Sequence, residues 1–401
     1  MRRFSYKARD PKTNKTIKGV IQAENERAAG RMLIEQGLVP GRIDEADENS
    51  WLAKLKQKVP TKDKIVFTRQ FATLIGAGLP LSNALRTLVE QTESKPMKRV
   101  VEDILQQVEA GKSLEEACKK HPDVFNQVYL SLLQAGEASG TLDLALKRLA
   151  DQQEKDESMM SKIRGAMTYP AIVLVVIIAV VIFMMVMVVP QVENLYGDMG
   201  KELPGATKVL VAVSNFIMLR WYVVLVALIV FGVVFVQYLR TDTGKKMLAT
   251  FLLNVPIFKG LFLRLYNARF ARTMQMLLST GVAMLDSMQM AAEATNNIVY
   301  MEQIIAAKET VQAGKPLSVA LKDKKYMLPL VPQMSSIGEE SGKIDEMLGK
   351  AAQVYEDELD EQIGAISTMI EPILMVVMAL LIGFIVLAVL MPIYSLVSSV
   401  G

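Results

Sequence analysis

The sequence predicts a mainly α, integral membrane protein with two homologous helical-bundle domains on the cytoplasmic side, three transmembrane helices and a small N-terminal α+β module. Three observations carry that expectation. Three runs of 19 residues hold no charge, whole blocks of the chain recur at a fixed displacement, and two short segments within the first 45 residues alternate as strands do.

The charge-free runs are Ala171–Val189, Trp221–Leu239 and Ile373–Met391, each 19 residues. A helix of that length covers about 28 Å, close to the hydrocarbon core of a bilayer. A buried core helix is the alternative, but core helices usually carry a polar stripe. The spans are therefore placed at 170–190, 220–239 and 372–391. Lys155, Lys162 and Arg164 precede the first, and Arg240, Lys245, Lys246 and Lys259 follow the second. By the positive-inside tendency, both polar segments lie in the cytoplasm, with 191–219 a short periplasmic loop and 392–401 a periplasmic tail. The opening residues, MRRFSYKARD, lack the apolar run of a signal peptide, so the N-terminus is expected in the cytoplasm.

Within residues 1–45, Phe4–Ala8 and Ile17–Ala23 alternate around a turn at Asp10–Asn14, and Glu24–Gln36 reads as a helix ended by Gly37. A charged linker, 46–60, follows. The first helical domain, 61–169, opens with Thr61 as a cap and Ile65, Phe67, Phe71, Leu74 and Ile75 at near-helical spacing, closing at Gly78. Ser113-Leu-Glu-Glu116 is a capping box. Thr141–Tyr169 has no Pro or Gly before Gly165 and reads as one long helix running to the membrane. A connector, 240–263, leads to the second domain, 264–371, where 343–371 repeats the long helix.

Phe67–Leu85 (FTRQFATLIGAGLPLSNAL) recurs as Phe270–Met288 (FARTMQMLLSTGVAMLDSM), a displacement of 203, and Ala110-Gly111-Lys112 recurs as Ala313-Gly314-Lys315. After one deletion, a displacement of 202 carries Gly136-Glu137-Ala138-Ser139-Gly140 onto Gly338-Glu339-Glu340-Ser341-Gly342, Pro170 onto Pro372 and Pro190 onto Pro392. Blocks in one order with one gap define a duplicated unit of a helical domain followed by a span.

Composition removes several function classes. Lys plus Arg (45) against Asp plus Glu (42) leaves +3, too balanced for a direct nucleic-acid binder. One Cys and one His, Cys118 and His121, exclude disulfide frameworks and paired-His metal sites. No catalytic, cofactor or metal residues are assigned. Gly111-Lys112-Ser113 has the look of a phosphate loop, but Gln106 stands where its first Gly belongs, and a helix C-cap followed by an N-cap explains it.

The interaction or hinge candidates are Gly78, Gly111, Gly136, Glu137 and Gly140 with their partners Gly281, Gly314, Gly338, Glu339 and Gly342, together with Pro170, Pro372 and Glu371 at the span edges. Two readings of the Gly-Glu-x-Ser-Gly blocks stand open: a turn between helices, or a docking or hinge surface that uses Glu137 and Glu339. Glu137 with Asp143, and Glu339 with Asp345, could contribute to a divalent-cation site, although two carboxylates are fewer than calcium collects.

The repeated blocks, with TYPAIVLVV and EPILMVV at the span edges and FSYKARDPKTNKTIKGVIQAENERAAGRMLIEQGLVP at the start, resemble the bacterial type II secretion F family across essentially the whole chain. The second copy departs in Ala283 and Met284, where the first has Pro80 and Leu81. The resemblance implies a non-enzymatic platform in the bacterial inner membrane. It would engage a hexameric assembly ATPase, pilin or pseudopilin subunits and other inner-membrane assembly proteins, and would form a homo-oligomer, a dimer being favoured. A membrane transporter subunit is the alternative. It predicts polar or broken helices at mid-membrane depth, which the three runs lack.

Overall fold

A computed structural model describes residues 2–9, 16–23, 26–35, 39–45, 58–198 and 205–397. Strands β1 (Arg2–Arg9), β2 (Thr16–Ala23) and β3 (Val39–Glu45) form an antiparallel sheet in the order β2-β1-β3, with helix α1 (Glu26–Glu35) between the last two in sequence. The expected turn at Asp10–Asn14 and most of the expected linker 46–60 lie outside the described residues.

The first helical unit comprises α2 (Thr61–Gly76), α3 (Leu81–Gln91), α4 (Lys95–Glu109), α5 (Leu114–Lys119) and α6 (Gln127–Ser139). Thr61 is the first helical residue and not the cap, because Pro60 occupies the cap position with extended backbone. Phe67, Phe71, Leu85, Leu88, Met97, Ile104, Leu114 and Leu132 are buried in one core, drawn from every helix of the unit. From this unit α7 (Leu142–Phe183) runs 42 residues, about 63 Å, into the first apolar segment.

Pro170 sits inside α7 and Pro372 inside α17, so the expected boundaries at 170 and 372 fall within continuous helices. A proline costs one backbone hydrogen bond and some straightness, which a long helix held at both ends absorbs. A five-residue π segment, Met184–Val188, follows α7. Its altered bonding frees carbonyl groups, and the Ser214 hydroxyl donates to the Met185 carbonyl.

The stretch expected as a loop at 191–219 is largely helical: α8 (Val189–Asp198) and α9 (Gly205–Leu219). Next come α10 (Trp221–Arg240), with no buried residue, and α11 (Asp242–Asn254). The expected connector 240–263 is thus α11 plus the first part of α12 (Pro256–Leu278), and the boundary at 264 falls inside a helix.

The second unit continues with α13 (Met284–Ala294), α14 (Ile298–Gln312), α15 (Leu317–Lys322) and α16 (Leu330–Ser341), and ends in α17 (Ile344–Val397), 54 residues long. That helix runs through most of the expected tail 392–401, of which 398–401 lie outside the described residues. Among the described residues, three helices are long and apolar enough to cross a membrane, within Leu142–Asp198, Trp221–Arg240 and Ile344–Phe384. The two cores interlock: Met276 and Leu277 of α12 belong to the first, and Met159 of α7 belongs to the second.

Candidate functional site: a helix corner built twice

Each unit reaches its long helix through the same corner. At the end of α6 the chain turns at Gly140, whose φ of 71° is the left-handed conformation that glycine adopts without strain. The Thr141 amide then donates to the Gly136 carbonyl at 2.9 Å and the Gly140 amide to Glu137 at 3.4 Å, the two bonds of a Schellman cap. Gly342 (φ 69°) repeats the turn, with the Lys343 amide donating to Gly338 at 2.9 Å.

The first glycine of each block has a different task. A Cβ at Gly136 would stand 2.8 Å from Ala145 Cβ, and one at Gly338 would stand 2.6 Å from Ile344 Cα. Only a residue without a side chain lets the short helix lie this close against the first turn of the long one.

Glu137 and Glu339 complete the corner by reaching back to a third helix. The Leu114 and Glu115 amides donate to the two carboxylate oxygens of Glu137 at 2.7 and 3.1 Å. Leu317 and Ser318 give their amides to Glu339, with the Ser318 hydroxyl adding a third bond. The first amides of a helix have no intrahelical partner and carry its positive dipole end, so a carboxylate satisfies them doubly. Both glutamates are half-buried and turned onto their own chain, the arrangement that a turn between helices requires. Nor do they gather a cation site: among the described residues no three His, Cys, Asp or Glu side chains cluster as metal ligands.

The other glycines also end helices. Gly78 and Gly281 share a φ of 82°, and Gly111 and Gly314 take 87° and 88°. Lys112 donates its amide to Gln107 at 3.1 Å while Ser113 accepts from Glu116 at 3.1 Å, so the phosphate-loop lookalike is one helix end followed by the next helix start. Glu371 is exposed on α17. His121 pairs with Asp103 at 2.8 Å, and burial pushes the Cys118 thiol up, away from nucleophilic use.

Sequence reasoning missed an arginine clamp. Arg69 on α2 grips α7 through Asp151 and Glu154, each at 2.6 Å. Arg272 on α12 grips α17 through both oxygens of Glu356 at 2.9 and 2.8 Å. The same displacements relate Arg69 to Arg272 and Glu154 to Glu356, and both arginines hold the third place of the FTRQF and FARTM blocks. That shared charge in an otherwise apolar repeat was the available signal.

A row of charges joins the units. Lys155 donates to Glu356 at 3.1 Å, Lys162 to Asp360 at 2.6 Å, and Arg269 lies 3.5 Å from Asp156. Burial pushes the Asp156 carboxyl up, an effect that Arg269 partly offsets.

The geometry defines a class: a membrane protein in which two copies of a helical unit each cap, cross and clamp the root of a membrane-length helix. Residues 67–190 and 270–392 match the family described as "Type II secretion system (T2SS), protein F", and residues 1–44 match its N-terminal domain. The chain is 35% identical to the type IV pilus assembly protein PilC of Thermus thermophilus, covering 99% of each chain. It is 36% identical to PilC of Pseudomonas aeruginosa, over 86% of this chain and 92% of the relative, and 32% identical to type II secretion system protein F of Vibrio cholerae, over 99% and 98%. The chain belongs to the type II secretion system protein F family.

Proposed function

We propose that this protein is a non-enzymatic, polytopic inner-membrane platform of a type IV pilus or type II secretion machine. It couples a cytoplasmic hexameric assembly ATPase to the insertion of pilin or pseudopilin subunits into a filament. In this reading the N-terminus and both helical units face the cytoplasm. The chain divides into a module at 1–45, units at 61–169 and 264–371 and three spans, and it assembles as a homo-oligomer, a dimer being favoured. The relatives' names place them in pilus assembly and secretion.

The observation that carries the proposal is the continuity of the long helices. A push on the first unit travels along α7, and one on the second along α17, because each helix is rooted in a buried core and runs unbroken into an apolar segment. The corner glycines and glutamates set the direction of each rod.

Inserting two glycines between Gly165 and Ala166 interrupts α7 below the membrane and beyond Met159, its last residue buried in either core. The variant is expected to insert, to retain the ATPase in affinity purification from native cells and to lose filament assembly. Normal filaments from that variant, or recovery of a nucleotide-binding transporter subunit in place of an assembly ATPase, would overturn the proposal.

A further inference from the structure

Helix α11 follows α10 after a single residue, Thr241. The Thr241 hydroxyl accepts from the Gly244 amide at 3.1 Å and lies 2.6 Å from the Tyr238 carbonyl, to which it donates. The turn is so tight that a Cβ at Gly244 would stand 2.0 Å from that carbonyl oxygen. Buried Ala249 and Leu253 hold one face of α11 on the second unit, and Lys246 pins it to Glu302 of α14 at 2.9 Å. On the other side apolar residues stay uncovered: Met247 is 63% exposed and Phe251 56%. With the helical stretch Phe258–Leu278, α11 is apolar enough for a membrane segment, yet the two are bent by 109°.

Under α11 lies a cavity of about 230 Å³, lined by Met167 of α7, Phe251 of α11, Phe262 of α12 and Ile366 of α17. Ile163 and Met167 also line a groove that continues along the first membrane-length helix past Ile172 and Val176. Arg164 lines that groove, Lys259 follows Phe258 of the cavity lining in sequence, and Arg240 closes α10 just before α11. Arg240 and Lys259 are exposed and form no ion pair with another described residue, and the side chain of Arg164 is 67% exposed, 3.6 Å from Glu157.

We propose that α11 is an interfacial helix lying in the headgroup layer, and that the cavity beneath it holds an acyl chain of an anionic phospholipid whose phosphate is met by Arg240, Lys259 and Arg164. An amphipathic helix joined directly to a span, with an apolar face and basic neighbours, matches the physics of interfacial helices and anionic leaflets. The cavity opens onto the flank of a membrane helix, so hydrocarbon chains meet it first.

The test uses the full chain in nanodiscs whose phosphatidylglycerol or phosphatidylcholine carries brominated acyl chains, which quench nearby tryptophan. Trp51→Phe alone leaves Trp221 as the control reporter within α10. Trp51→Phe with Trp221→Phe and Phe251→Trp places the reporter on α11, and Met247→Trp in the same background gives a second reporter at an exposed position. Both α11 reporters are expected to be quenched as strongly as the control, and more by phosphatidylglycerol than by phosphatidylcholine. Arg240→Gln with Lys259→Gln is expected to lower the preference for the anionic lipid roughly thirtyfold. Unquenched α11 reporters beside a quenched Trp221 would overturn the proposal, and equal quenching by both lipids would overturn its anionic part. Release of quenching by an added pilin N-terminal peptide would assign the cavity to a peptide instead.

Discussion

The two helical units share a corner and differ in what fills them. Position 64 of the first corresponds to position 267 of the second by the displacement of 203. In the first unit Lys64 lies against an aromatic cluster, its ammonium 5.3 Å from the Tyr129 ring centroid and 6.0 Å from that of Phe125. In the second, buried Asn267 donates to the Leu263 and Tyr326 carbonyls at 2.8 and 3.0 Å and accepts from the Leu328 amide at 3.0 Å. Asn267 has its polar groups met by backbone, whereas Lys64 carries a charge that burial opposes. What the duplication preserves is therefore backbone geometry at the root of the rod, while the interior has been refilled with different chemistry.

The largest expected effect turns that contrast into a pH dependence. Burial lowers the Lys64 pKa to about 8 from its ordinary 10.5. Between those values the unfolded chain binds the proton that the folded chain has released, so stability rises with pH across this window and is flat, for this group, below it. The gain is at most about 3 kcal/mol, and the cation–π contacts, which favour the charged ammonium, work to reduce it. Thermal melting of the detergent-solubilised protein from pH 7 to 10 should show the rise, and Lys64→Asn, which copies the second unit, should flatten it. An unchanged slope in that variant sinks the assignment.

The clamps offer the next comparison. Arg272 and Glu356 are well covered, with side chains 17% and 11% exposed, while Arg69 is 35% exposed and its partners more so. Ion pairs open to water contribute little, and a covered one leaves an uncompensated charge when one member is removed. Arg272→Ala is expected to cost about 2 kcal/mol, because Lys155 still reaches Glu356, and Arg69→Ala less than about 1 kcal/mol. Melting temperatures of the two variants measure the difference, and equal losses would show that coverage does not set the strength of the clamp.

Much of this was legible in the chain. Charge-free runs read as membrane helices because three runs of 19 such residues lack the polar stripe a core helix usually carries, and the repeat flagged Gly136, Glu137, Gly140 and their partners. Their tasks were not legible, since Glu137 meets amides more than 20 residues away and a Cβ clash at Gly136 depends on how two helices cross. The long helices 141–169 and 343–371 were read as running to the membrane, and they continue through Pro170 and Pro372, where local propensity argues for a break and the rest of a long helix overrides it. Strand β3 was missed because Val39–Glu45 contains Pro40 and Gly41, which weaken a strand pattern, and it pairs with β1 across a register shift at Lys7 and Ala8.

The smallest effect separates the two corners themselves. In the first unit the start of α5 is served twice, by Glu137 on the Leu114 and Glu115 amides and by Ser113 on the Glu116 amide. In the second, Pro316 stands at the cap position and offers no side-chain acceptor, so Glu339 alone serves the start of α15 and also takes the Ser318 hydroxyl. Loss of a helix cap costs typically about 1 kcal/mol, so Glu339→Ala is expected to exceed Glu137→Ala by a few tenths of that to its full amount. Lys315 and Lys112 flank the two caps alike, so a general charge effect would weaken both corners equally. Melting the two single variants, and Glu137→Ala combined with Ser113→Ala, distinguishes the cases. If removing Ser113 makes the first corner as sensitive as the second, the glutamates act as caps that differ only in their help. Equal losses from the two single substitutions would instead mean that the carboxylates matter chiefly through the crossing of the short helix with the rod.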